Sequence, residues 1–150
     1  MGKSAEGGTE RLAPAVRVTI RVVSEEPRAV FMFSEDPLPD VFTSLAAAAG
    51  DMEAVDVEEG VYHALFTLDG RVVRFGTADG RVLLEVTDER DPDDLRRRLR
   101  EWCERGHLES DPDDLEAVAN ELLRREWEAR WPKRPWWLSN LIHGVRPPQV

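Results

Sequence analysis

Hydrophobic and polar positions first alternate at Val16, Val18, Ile20 and Val22, with Arg17, Thr19 and Arg21 between them. That is the period of a half-buried strand. Ser24-Glu25-Glu26-Pro27 supplies turn residues, residues 29–33 read as the returning strand, and Ser34-Glu35-Asp36-Pro37 ends it. The period then changes: Leu38, Val41, Phe42, Leu45 and Ala46 fit helical spacing, with Gly50 as the C-terminal stop. Residues 52–57 read as a short edge strand. From Gly60 to Thr87 the alternation returns as a β-meander. Residues 61–68 meet residues 71–75 across Asp69-Gly70, the dipeptide of a tight hairpin, and residues 81–87 follow a looser connection, Gly76-Thr77-Ala78-Asp79-Gly80. In that register Tyr62, Ala64, Phe66, Val73, Phe75 and Leu83 share one face. His63, Leu65, Val72, Val82, Leu84 and Val86 share the other. Both faces are apolar, which predicts a cover on each.

The pentapeptide Asp-Pro-Asp-Asp-Leu then occurs twice, at 91–95 and 111–115, each time opening a stretch of helical spacing. In the first, Leu95, Leu99, Trp102 and Cys103 form one stripe; in the second, Leu115, Val118, Ala119, Leu122, Leu123, Trp127 and Trp131 form a longer one. Pro132 and Pro135 break the chain, residues 136–143 read as a last short helix stopped by Gly144, and Pro147-Pro148 ends the pattern. The order β-β-α-β-β-β followed by two or three C-terminal helices predicts an α+β fold, an antiparallel sheet with those helices packed on it. It divides the chain into an arm (1–13), one domain (14–144, sheet-rich to residue 90 and helical from 91) and a tail (145–150). In element order alone, over residues 14–105, the pattern resembles profilin-like and longin-type small domains. The resemblance brings no motif and no site residues with it.

Each residue of the repeated pentapeptide has a part in starting a helix. Asp91 and Asp111 are placed as N-caps, with Pro92 and Pro112 at the first helical position, where a missing N–H costs nothing. The next two aspartates lie against the positive end of the helix dipole, and Asp93 with Arg97 and Asp94 with Arg98 are spaced as i,i+4 pairs. A calcium loop would need alternating acids, a glycine and a later glutamate, which neither copy has.

Composition narrows the classes. The chain has 150 residues and a formal net charge of −10, which argues against nucleic acid and anionic membranes as partners. Arginine outnumbers lysine, as GC-rich coding produces. Cys103 is the only cysteine, so no internal disulfide can form. With no apolar run of membrane-spanning length and no signal-peptide core near residue 1, the expected location is cytoplasmic.

Catalytic signals are sparse. Gly2-Lys3-Ser4 lacks the upstream glycine and strand of a phosphate loop, and Cys103 and His107 sit one turn apart without a second ligand pair. Glu85, Asp88, Glu89 and Asp91 are acidic but have no nearby lysine of the kind many metal nucleases place beside their carboxylates. No cofactor and no metal are expected, and the balance leans away from an enzyme. Two surface features remain. Trp127, Trp131, Trp136 and Trp137 interleave with Arg130, Arg134 and other cations, residue types that serve core packing and interface hot spots alike. From Glu35 to Glu59 there are eight acidic residues, Asp36 and Asp40 among them, and no basic one. The leading expectation is a non-catalytic interaction module that binds a basic protein through Trp127, Arg130, Trp131, Arg134, Trp136, Trp137, Glu35, Asp36 and Asp40. A ligand pocket lined by Tyr62, His63, Trp131 and Trp136 is the second reading, and nucleic-acid contact through residues 124–134 the third. Homo-oligomerisation is left open.

Overall fold

A computed structural model describes residues 26–36, 38–130 and 147–150. The arm, the strand expected at 16–22 and the helix expected at 136–143 lie outside the described residues. The elements are β1 (Val30–Ser34), β2 (Asp40–Phe42), α1 (Leu45–Asp51), α2 (Ala54–Glu59), β3 (Tyr62–Thr67), β4 (Arg71–Ala78), β5 (Arg81–Arg90), α3 (Pro92–Glu104) and α4 (Leu115–Arg130). The strands form one antiparallel five-stranded sheet in the order β2-β1-β3-β4-β5. The fold is therefore α+β, a sheet followed by helices, although the element order differs in detail from the expected one.

Both faces of the sheet are covered. On one, Phe31, Phe33, Val41 and Phe66 pack with Leu95 and Leu99 of α3 and with Val118, Ala119, Leu122 and Leu123 of α4. On the other, Val30, Met32, Leu65, Val73, Val82, Leu84 and Val86 pack with Leu45, Ala48 and Ala49 of α1 and with Met52. The near-continuous apolar run of β1 follows from this, since a central strand covered on both sides buries alternate residues into different cores.

Two expected elements take another form. Val41 and Phe42 lie in β2, and the helix starts only at Leu45, where the Ser44 hydroxyl accepts from the Ala47 N–H at 3.1 Å. The helical spacing from Val41 to Leu45 was coincidental, because Val41 faces the α3–α4 side and Leu45 the α1 side. The expected edge strand at 52–57 is instead α2. Ala54 and Val57, three apart, turn to the core while Val55 turns out, and Gly60 (φ 79°) ends the helix with its N–H on the carbonyls of Asp56 and Val57.

The two Asp-Gly turns exchange the roles expected of them. Leu65 lies opposite Val73 and Phe66 opposite Val72, so the β3–β4 loop has three residues, with Gly70 at φ 78°. The β4–β5 turn is the tight one: Ala78 lies opposite Arg81, and Asp79 and Gly80 both have positive φ (54° and 68°), as a type I′ turn requires. One extra loop residue moves β4 by one register position, which sends each side chain to the other face. Val73 and Phe75 therefore sit with Leu65 rather than with Phe66, and Val72 packs on the α3–α4 side. Gly70 is held for a second reason: a Cβ on it would lie 2.8 Å from the Pro92 Cβ.

The two pentapeptides also differ. Asp91 caps α3, accepting from the Asp94 N–H at 3.0 Å, with Pro92 in the first helical turn. Asp94 pairs with Arg97 and Arg98, and Asp93 pairs with Arg96 instead of Arg97. In the second copy Asp111 does not cap the helix. Its carboxylate accepts from the Asp113 N–H at 2.9 Å in a turn, and Asp114 is the cap, accepting from the Ala117 N–H at 3.0 Å. No helix of the described residues is long and apolar enough to cross a membrane.

Candidate interaction surfaces

The acidic segment is distributed over one end of the sheet and the helical layer beside it. Glu35 and Asp36 occupy the exposed turn after β1, where the Ser34 hydroxyl accepts from the Asp36 N–H at 3.2 Å. Asp40 opens β2, Asp51 closes α1, and Glu53, Asp56, Glu58 and Glu59 surround α2. Glu58 is tied to the sheet by the Thr77 hydroxyl at 2.9 Å. Tyr62 anchors the start of α2, its hydroxyl oxygen accepting from the Glu53 N–H at 3.4 Å. Val55 stands among these carboxylates with 51% of its surface exposed; it is the exposed large hydrophobic residue of the described chain.

At the β2 end of the sheet an open groove of about 270 Å³ runs between α1 and α4. Phe42, Ala47, Leu123 and Pro148 give it an apolar floor, while Asp51, Glu126 and Arg130 give it a charged rim. Arg130 already places its guanidinium 2.6 Å from Glu126. Asp40, half-buried beside this groove, has its carboxyl pushed up to about 6 by burial first and then by the negative charges of Asp51, Asp36 and Glu126.

The tryptophan- and arginine-rich end divides. Trp127 is half-buried on α4 and Arg130 is exposed at its end, whereas Trp131, Arg134, Trp136 and Trp137 lie outside the described residues. The α4 cations are not a free positive face. Arg124 pairs with Glu128, Arg125 with Glu121 and Arg130 with Glu126, each one turn away. The arginines of α3 are engaged likewise, Arg97 with Asp94 and Glu101, Arg96 and Arg100 with Asp113.

The residues considered for catalysis have structural surroundings. The Cys103 thiol points at the Ser110 carbonyl oxygen at 3.5 Å, and its pKa is raised by burial and by Glu121, Asp111 and Glu104. His107 leans against the Trp102 ring, centroids 5.6 Å apart. Tyr62 packs on the α1–α2 side, away from α3 and α4, and His63 is exposed. That separates both from the pocket expected between the sheet and the C-terminal helices; Trp131 and Trp136, its other two residues, lie outside the described chain. Glu89 faces Arg74 at 3.7 Å, and Asp91 is a cap. Among the described residues no group of three or more His, Cys, Asp or Glu side chains is placed to hold a metal.

Glu121 escaped the sequence reading. Its carboxylate is buried in the α4 stripe and accepts from the Ser110 N–H at 2.8 Å and the Glu109 N–H at 3.1 Å, with Arg125 at 2.6 Å. Burial pushes this carboxyl up, but the Ser110 hydroxyl, the two N–H donors and Arg125 outweigh it and hold it below its ordinary value. The only signal available was an acid one residue from a buried leucine with Arg125 four residues on. The groove has no sequence signal, since the spacing from Leu38 to Ala46 predicts a helix where β2 lies. No protein-family model, curated protein or solved structure matches the chain.

Proposed function

We propose that this protein is a non-catalytic interaction module that binds a basic protein partner through the acidic layer of α1 and α2. The observation that carries this reading is Val55, exposed on a helix that also carries Asp56, Glu58 and Glu59 and follows Glu53, in a segment without a lysine or arginine. An exposed apolar residue on an acidic helix has the composition of a small interface: the side chain supplies burial, and the field selects the sign of the partner. Glu35 and Asp36 extend the same potential along the turn after β1, and Asp40 extends it to the sheet edge. Association through such a surface is fast at low salt and slows as salt screens it.

The test compares native co-purification by the wild-type chain and by a variant carrying Glu53→Lys, Asp56→Lys and Glu59→Lys. Glu58 is left in place because Thr77 uses it. A basic protein retained by the wild type should be lost by the variant and weakened by Val55→Asp. A partner held equally by both proteins, or none that responds to charge reversal, would defeat the reading.

A further inference from the structure

We propose that the groove between β2 and α4 seats one arginine or lysine side chain of the basic partner, with its methylene stem on Phe42, Ala47, Leu123 and Pro148 and its charge between Asp51 and Glu126. This rests on the reading of the chain as a module for a basic partner, and it names a second contact point at the β2 edge, apart from α2, which packs by β4 and β5. Three features support it. The floor is apolar, which suits the stem of a long cationic side chain, since such stems pack on apolar surface while their heads seek charge. The two carboxylates of the rim come from separate elements, Asp51 from α1 and Glu126 from α4, and Asp40 of β2 lies within reach of both charges, so the fold brings negative charge to this edge and a cation relieves it. Arg130 on the rim already pairs with Glu126, which shows that a guanidinium fits at this rim and leaves Asp51 as the rim carboxylate that draws the incoming cation most strongly. A neutral or acidic occupant would leave that crowding uncompensated.

The crowding also sets a direction for pH. A cation in the groove favours ionised Asp40. The groups that face this carboxylate are Asp36, Asp51 and Glu126, with Arg130 engaged on Glu126. Affinity therefore rises as pH climbs through about 6. A carboxyl titrating there is roughly one-tenth ionised at about pH 5 and almost fully ionised at about pH 7.5, which sets an upper bound of about tenfold on the change, since Asp51 and Glu126 hold the cation at both values.

The experiment titrates the full chain with the capped tripeptide acetyl-Leu-Arg-Leu-amide, followed by backbone amide NMR at those two pH values. The citrulline tripeptide, equal in shape and uncharged, is the control. The arginine peptide should shift the amides of Val41, Phe42, Thr43, Ala47 and Leu123 and bind more tightly at the higher pH, by up to about tenfold. The citrulline peptide should shift none of them. Asp40→Asn, which removes a crowded charge and so leaves the fold intact, should flatten the pH dependence, and Asp51→Asn should weaken binding at both values. Equal shifts with citrulline, no shifts at all, or an unchanged pH profile in Asp40→Asn would each overturn the groove as the seat. Shifts confined to α2 would overturn the groove and leave the acidic-layer reading standing. Groove binding in a protein whose α2-reversed variant keeps every partner would do the opposite.

Discussion

The starts of α3 and α4 carry the same five residues in two arrangements. At α3 the first aspartate is the cap and proline opens the helix; at α4 the first aspartate closes a turn, proline sits inside it, and the last aspartate is the cap. Both arrangements are chemically sound. Proline needs φ near −65° and no N–H partner at the first helical position and at the second position of a β-turn alike. Aspartate accepts from a free N–H two or three residues on in either case. The two differ in what holds them from outside. The Asp91 N–H donates to the Gly70 carbonyl at 2.9 Å, and Pro92 packs on Gly70 itself, which fixes where α3 begins. Ahead of α4, buried Glu121 takes the N–H groups of Glu109 and Ser110, and Arg100 reaches Asp113 at 3.3 Å, which draws the preceding turn onto α4 and α3. A cap contributes about 1 kcal/mol, so a three-residue shift between two good caps is decided by anchors of that size or larger.

The sharpest way to break this comparison is to remove the α4 anchor. Glu121→Ala should lower stability by about 3 kcal/mol, since it strips two part-buried N–H groups and Arg125 of a buried charged acceptor. Amide exchange should rise across residues 105–114 while the α3 start stays protected. Uniform loss of protection would mean that Glu121 does not set the second arrangement. Because its folded pKa lies below the ordinary value, its contribution is present above the unfolded pKa and fades as pH falls through the folded one. The melting temperature of Glu121→Gln should accordingly respond less to acid than that of the wild type.

Gly70→Ala attacks the α3 anchor. The residue has φ 78° and its Cβ would meet Pro92, so denaturant unfolding should show a loss of about 2 kcal/mol. A neutral outcome would remove Gly70 from the account of where α3 starts. Next come the aspartates themselves. Asp91→Ala and Asp114→Ala should each cost about 1 kcal/mol, and Asp111→Ala only a few tenths. The reverse order for Asp111 and Asp114 would restore the same cap position in both copies.

Smallest is a carboxylate with the opposite surroundings. Asp91 and Asp114 face N–H donors, whereas Asp40 faces Asp51, Asp36 and Glu126. Its raised pKa means that its relative stabilisation is full below the unfolded value of 3.8 and is lost as pH rises through about 6. Asp40→Asn should therefore raise stability at neutral pH by under about 1 kcal/mol, after allowance for screening at a half-buried site, and change nothing in acid. A loss at neutral pH would show that Asp40 has a cationic partner rather than crowded acids around it.

Much of the fold was legible because period and burial agree wherever an element lies on one core. The α3 stripe of Leu95 and Leu99 with Trp102 and Cys103 beside it, and the α4 stripe through Val118, Leu122 and Leu123, pack as their spacing demands. The meander was legible as strands but not as faces, because Asp-Gly suits a two-residue turn and a three-residue loop equally. The stretch from Val41 to Val57 misled in both directions. Val41 and Leu45 belong to different cores, and a six-residue helix gives too short a run for its period to stand out from a strand. For the candidate surfaces, the acidic segment could be read as a run of charge. That it frames an exposed Val55 and an apolar groove could not, since both depend on which residues the core leaves outside.

The amino-acid sequence alone determined the class of this protein: an antiparallel meander, amphipathic helices after it, and an acidic stretch with no cation to balance it. Those properties depend on period and composition, which are local. Tertiary structure decided the register of β4, the helical state of residues 54–59, the cap of α4 and the convergence of Asp36, Asp40, Asp51 and Glu126 at one sheet edge. At each of those positions the local alternatives differ by about 1 kcal/mol or less, so the packing of distant residues, worth several times that, made the choice.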